Sequence, residues 1–295
     1  MPTLQTLESE VPTGGPKAVT LDVWYTLLYL SPKDRTALER RRWRAWADPM
    51  VAAGFSRSSA DRAVQRMFAW GDRSEARGHT PPVWQQAQWL RNRLHRRVLF
   101  DGLPSRLDAA LAQAPVRLAV GAITALRSLS RAGVRLGVVS NVRFESGAAA
   151  RAVLESTGIR GNVDAIELSC DGPWSKPRPE PFRRCLRALH VSPSAAVHIG
   201  DLAYDVRGAR GAGLEPVLYT GLHRWESPRP AFRPGERPVR SFSRWIDAPA
   251  LLGVERRILS RPPRRLRESV PAARSRQRMS RPHLRGETRP PGDLS

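Results

Sequence analysis

The sequence is short of cysteine, lysine and long apolar runs, and each shortage removes a class of protein. Two cysteines, Cys170 and Cys185, without a CxxC spacing cannot staple a disulfide scaffold or frame a cysteine zinc site. A reduced, cytoplasmic setting is the expectation. No apolar run approaches the ~18 residues of a spanning helix, so no membrane association is expected. The opening residues MPTLQTLESE lack a basic segment followed by an apolar one, so no secretory signal is read there. Lysine occurs only at Lys17, Lys33 and Lys176, among 49 basic residues.

What is abundant is arginine, and the net charge is +22. Basic surfaces attract polyanions, so a nucleic-acid partner has to be weighed. The distribution argues against a dedicated site. Residues 256–295 hold twelve arginines against Glu268, Glu287 and Asp293, and the remaining excess is spread along the chain. Arginine in place of lysine nearly everywhere reads as a compositional bias, with solvated charge as its consequence.

The 295 residues, 41% of them hydrophobic, suffice for one large or two modest cores. Residues 1–16, with three prolines and a Gly-Gly pair, read as a flexible leader. Ala18–Leu21 form a short apolar run that ends on Asp22, as a buried parallel strand delivering a carboxylate would. Residues 31–115 are rich in Arg, Ala and Gln and carry apolar residues at helical spacing, such as Trp43, Trp46 and Met50. They read as an inserted helical module whose five tryptophans are core residues. From 116, helices and strands alternate. Helices are expected over 121–132, 146–157, 179–189 and 203–211, with strands over 134–139, 163–168, 195–199 and 215–219. A last short strand and helix are expected within 239–252. The pattern implies an α/β fold, a parallel sheet covered on both faces. Residues 256–295 cannot support a packed core and read as a disordered tail.

In parallel α/β sheets ligands bind beyond the carboxyl ends of the strands. The polar residues there are Asp22, Ser140 with Asn141, Lys176, and Asp201 with Asp205. Each type suits one reaction. A carboxylate can attack phosphorus and split hydrolysis into two easier steps through an aspartyl-phosphate. Phosphate and carboxylate repel, and a Mg²⁺ ion among Asp22, Asp201 and Asp205 would offset that repulsion. Lys176 can pair with both the attacking group and the phosphate. Ser140 and the adjoining amides can donate hydrogen bonds to phosphate oxygens.

Plainer readings exist for each. Asp22 could be a turn residue, Ser140 a cap, Lys176 a solvent-facing loop charge, and Asp201 and Asp205 helix-start acids. GARGAG at 208–213 ends a helix instead of following a strand, so it reads as helix packing and termination. His198 lies inside a strand run and reads as a core histidine.

Taken in order, VTLDVWYTLL, VRLGVVSN, GPWSKPRPEPF and HIGDLAYDVRGARGAGL resemble the four motifs of the haloacid dehalogenase-like hydrolase superfamily, in the group with a helical cap. The resemblance covers 17–30 and 116–222; the cap matches only in position and helical character. It implies a three-layer, Rossmann-like core over 17–30 and 116–255 with an all-helical cap at 31–115. It implies Asp22 as nucleophile with Lys176 as its catalytic partner, and Ser140, Asn141 and Thr26 on the phosphate. It also implies Mg²⁺ held by Asp22, Asp201, the carbonyl of Trp24 and Asp205, and a small phosphorylated substrate.

One position departs from the pattern. The family's phosphatases usually carry a second Asp two residues after the nucleophile, which protonates the leaving group and then activates water. Here that residue is Trp24, which can do neither. Dehalogenases also lack this Asp, but would not need the intact Asp201/Asp205 pair. The alternative to an active phosphatase is a weak or inactive member with a binding or regulatory role.

Overall fold

The computed structural model describes residues 15–95, 97–222, 232–238 and 240–254. The tail assigned to 256–295 and most of the leader lie outside them.

In chain order, β1 (Ala18–Leu21) and β2 (Leu28–Tyr29) precede four helices, α1 (Pro32–Ala52), α2 (Arg57–Glu75), α3 (Val83–Arg91) and α4 (Leu103–Ala112). Then follow β3 (Arg117–Leu118), α5 (Ala122–Arg131), β4 (Arg135–Ser140), α6 (Gly147–Ser156) and β5 (Ala165–Leu168). The remainder is α7 (Glu180–Leu189), β6 (Ala196–Gly200), α8 (Ala203–Ala212), β7 (Glu215–Tyr219), β8 (Ser241–Phe242) and α9 (Ala248–Leu251). Every regular element expected from 116 onward is present, within one or two residues at most boundaries.

Six strands form one sheet in the order β5-β4-β1-β6-β7-β8, and each neighbouring pair is parallel. β1 is the pivot. Its four residues are all buried, and Leu21 lies opposite Val138 of β4 and Ile199 of β6. Alternation along the strands fills two cores. Val19, Leu21, Leu136 and Val138 pack with Leu126 and Leu129 of α5. Ala18, Val139 and Ala196 pack with Phe182, Cys185 and Leu189 of α7. These are the two covered faces of a Rossmann-like, three-layer α/β core.

The helices α1–α4 form a module with a core of its own, including Trp46, Met50, Met67, Leu90 and Leu107. β2 and β3 pair antiparallel and so bring the two ends of this insert together beside the sheet. Trp46 is fully buried, and Trp43, Trp70 and Trp89 pack partly buried against the same cluster. Trp84 departs from the expected core role: it is 65% exposed. It sits near the start of α3, on a face that the short helix turns away from the insert core.

Candidate active site

Asp22 follows β1 directly, and its N–H donates to Ile199 O of the adjacent strand (2.9 Å). The chain then folds into a tight turn. The N–H groups of Leu27 and Leu28 both donate to Val23 O, at 2.9 and 2.8 Å, and Tyr25 takes a left-handed φ of 61°. That conformation costs a non-glycine residue about 1–2 kcal/mol, and here the surrounding hydrogen bonds hold it. The turn brings the Thr26 hydroxyl back to donate to Asp22 Oδ2 (3.3 Å). Trp245 locks the turn from behind by donating its indole N–H to Thr26 O (3.0 Å).

Lys176 comes from the loop before α7, after β5. Its Nζ donates to Asp22 Oδ1 (2.5 Å) and to Asp205 Oδ1 (2.7 Å). All three side chains are almost fully buried. Burial alone would drag the lysine down, but Asp205 and Asp22 outweigh it and hold the ammonium above the ordinary lysine range. Burial likewise opposes ionisation of Asp205, but Lys176 and His198 overcome it and keep that carboxyl well below the usual range. Asp205 also accepts the Leu202 N–H (2.9 Å) at the start of α8. Gly200 makes this approach possible, because a Cβ there would stand 2.3 Å from Asp205 Cγ.

His198 was expected to be a core histidine, and it is completely buried. It is also bonded to the site: Nε2 lies 3.3 Å from Asp205 Oδ1, and Nδ1 lies 2.9 Å from Thr20 Oγ1. Burial lowers its pKa, so the ring is neutral at physiological pH. The carboxylate can only accept, so Nε2 carries the proton and Nδ1 accepts from Thr20. Sequence reasoning had no signal for this pairing beyond the His-x₆-Asp spacing on a strand and the helix after it.

Asp22, Asp201 and Asp205 each offer a carboxylate oxygen, and the three lie within 4.8 Å of one another, all buried. Three carboxylates and one ammonium leave the cluster net negative in a dry setting, where charge is costly. A hard divalent cation with oxygen ligands fits this donor set.

The remaining expected residues divide. Ser140 is buried at the end of β4, beside β1. Asn141 was assigned to phosphate, but its side chain is engaged elsewhere. Its Oδ1 accepts the Lys176 N–H (3.0 Å), and its Nδ2 donates to Lys176 O (3.1 Å) and to Glu75 Oε1 (2.7 Å). Thr26 is fully buried against the Asp22 carboxylate. Trp24 is partly buried, and its ring is shared between the sheet core and a small cluster of Leu30, Leu38, Ala110 and Leu111 beside the insert.

The parallel α/β core thus carries a buried Asp–Lys–Asp arrangement at its carboxyl edge. The chain belongs to the haloacid dehalogenase-like hydrolase family, whose model matches residues 16–213. It is 35% identical over 104 residues to the human haloacid dehalogenase-like hydrolase domain-containing protein 3, a match covering 34% of this chain and 39% of that protein. A phosphoserine phosphatase of Thermus thermophilus is 29% identical over 245 residues, covering 75% of this chain and 96% of that one. Several curated relatives are thus matched over only about two fifths of their length. Among solved structures, a phosphatase of the same family from Thermococcus onnurineus shares the fold, with a TM-score of 0.55 at 19% identity, over 81% of this chain and 99% of that chain.

Proposed function

We propose that the protein is a Mg²⁺-dependent phosphohydrolase that acts on a small phosphorylated molecule through an aspartyl-phosphate on Asp22. The observation that carries this is Lys176 Nζ, held between Asp22 Oδ1 and Asp205 Oδ1 in a buried site. An ammonium so placed neutralises the attacking carboxylate and meets the incoming phosphoryl charge.

In the first step an Asp22 carboxylate oxygen forms a bond to phosphorus, and the bond from phosphorus to the leaving oxygen breaks. Thr26 fixes the carboxylate's rotation. The Ser140 hydroxyl and adjoining backbone N–H groups donate to phosphoryl oxygens. Asp22, Asp201, Asp205 and the Trp24 carbonyl would hold Mg²⁺, which supplies charge neutralisation to the phosphoryl group when bound. In the second step water adds to phosphorus, and the Asp22–phosphorus bond breaks to release inorganic phosphate.

Neither proton transfer has a donor or acceptor at position 24. General acid–base catalysis is worth ~10²–10⁴-fold, so substrates with good leaving groups are preferred. The insert, acting as a cap over this edge, would select the substrate and exclude water. A broad panel of phosphate esters assayed with Mg²⁺, with Asp22→Asn as the blank, tests the proposal. Absence of Mg²⁺-dependent phosphate release across the panel counts against it.

Trp24 favours a second reading, a member that binds phosphorylated ligands without turning them over. Its ring is committed to packing where the insert meets the core. Recovery of activity by Trp24→Asp in an otherwise inert protein supports that reading, and a measurable wild-type rate overturns it.

A further inference from the structure

The loop that carries Lys176 is attached to the helical insert as well as to the sheet. Ser175 N–H donates to Gly78 O (2.9 Å). His79 Nδ1 lies 3.1 Å from Pro173 O, and Arg178 Nε donates to Arg77 O (3.4 Å). Gly78 has a φ of 81°, and a Cβ there would stand 2.2 Å from Arg178 Cγ. The turn that follows α2 therefore presses directly on the lysine loop.

Asn141 is the centre of this junction. One amide group bonds both main-chain atoms of Lys176, accepting its N–H and donating to its carbonyl. An asparagine amide can be turned over, exchanging its oxygen and nitrogen, and only one orientation satisfies both bonds. The reversed orientation would set an NH₂ against the Lys176 N–H. Glu75, at the last position of α2, reinforces that same orientation. Its carboxylate only accepts, so it requires the nitrogen on its own side (2.7 Å).

We infer that Glu75 and Asn141 are positioning residues for Lys176, so that the catalytic lysine is in register only when the end of α2 is seated. This rests on the reading of Lys176 as part of the reaction machinery. The consequence is geometric: Nζ has to reach Asp22 and Asp205 together, and a displacement of about 1 Å from a remote change can cost on the order of a hundredfold.

The chain has three lysines, so labelling lysine with ¹⁵N yields three lysine amide signals, and the one missing in Lys176→Met is that of Lys176. In Glu75→Ala the Lys176 amide is expected to shift and to exchange faster with solvent. kcat on a responsive phosphate ester is expected to fall about ten- to a hundredfold, with KM changed by less than about threefold. Glu75→Gln, which keeps an acceptor oxygen, restores both readouts. Asn141→Asp keeps the acceptor for Lys176 N–H but loses both donors, and behaves like Glu75→Ala. The inference is overturned if the Lys176 amide in Glu75→Ala matches wild type, or if Glu75→Gln is as impaired as Glu75→Ala. A wild-type protein that releases no phosphate sinks the hydrolase reading alone, because the amide signals still report the coupling.

Discussion

Trp24 shows how a single position sets the chemistry open to the site, and Cys185 how one sets the alkaline limit of the fold. Trp24 stands two residues past Asp22 and offers no ionisable proton, so leaving-group ability should govern the rate. Across a series of aryl phosphates, wild-type kcat/KM is expected to rise steeply as the leaving phenol becomes more acidic. Trp24→Asp should flatten that dependence, which steady-state kinetics would show. Cys185 lies far from this chemistry, under β4, where it donates to Val138 O (3.7 Å). Burial, with a smaller push from Glu167, raises its thiol to about 12. An unfolded thiol ionises near 8.5. The folded state therefore holds the proton more tightly, and the stability this gives is intact below about pH 8.5 and is lost as pH rises towards 12. The slope approaches about 1.4 kcal/mol per pH unit. Denaturant melts of Cys185→Ala should show a shallower alkaline limb between about pH 9 and 11.

At the level of elements, the site depends on three parallel strands ending together and on one loop that ties the insert down. β4, β1 and β6 are neighbours, so Ser140, Asp22 and Asp201 emerge at one edge. Gly200 lets α8 bring Asp205 up against the end of β6. Gly200→Ala forces that carboxylate away and is expected to destabilise the protein by about 1–3 kcal/mol and to suppress phosphate release; thermal melts and the ester assay check both. The loop after β4 clamps the insert. Arg143 donates to Phe68 O (2.6 Å) and pairs with Asp72, Gln86 Nε2 donates to Arg143 O (2.9 Å), and Glu145 pairs with Arg42. Ser146 N–H and hydroxyl both donate to Asp108, at 2.7 and 2.8 Å. The strands and helices of the core were legible because their apolar periods match 2 and 3.6, and Asp22 because it directly follows β1; Lys176, in the loop before α7, and Asp205, in the first turn of α8, were legible from the motifs around them. The clamp was not legible. Arg143 and Asp72 are far apart in the chain, and nothing in an arginine-rich sequence marks which arginine finds which acid.

For the molecule as a whole, a cation that binds only the folded cluster must stabilise the fold. At a Mg²⁺ concentration a hundred times its Kd, the gain is about 2.7 kcal/mol. Thermal melts with Mg²⁺ and with chelator should therefore differ for wild type, and the difference should shrink in Asp201→Asn. Equal melting temperatures in both conditions would argue against a metal at Asp22, Asp201 and Asp205. The charge of the chain is a separate matter. Every residue assigned to the reaction lies between 22 and 205, so removing 256–295 is expected to leave phosphate release unchanged. If the arginines of that segment recruit nucleic acid, salt-dependent binding is lost with them.

The sequence by itself determined the order of elements, the parallel sheet and the aspartates and lysine at its edge, because short-range periodicity and strand ends are local properties of the chain. Tertiary structure decided what those residues touch. It bonded the Asn141 side chain to the backbone of Lys176, set His198 behind Asp205 and brought Glu75 of the insert into contact with that asparagine. Such partners meet only when the chain closes on itself, and hydrogen-bond direction, which no spacing encodes, selects among them.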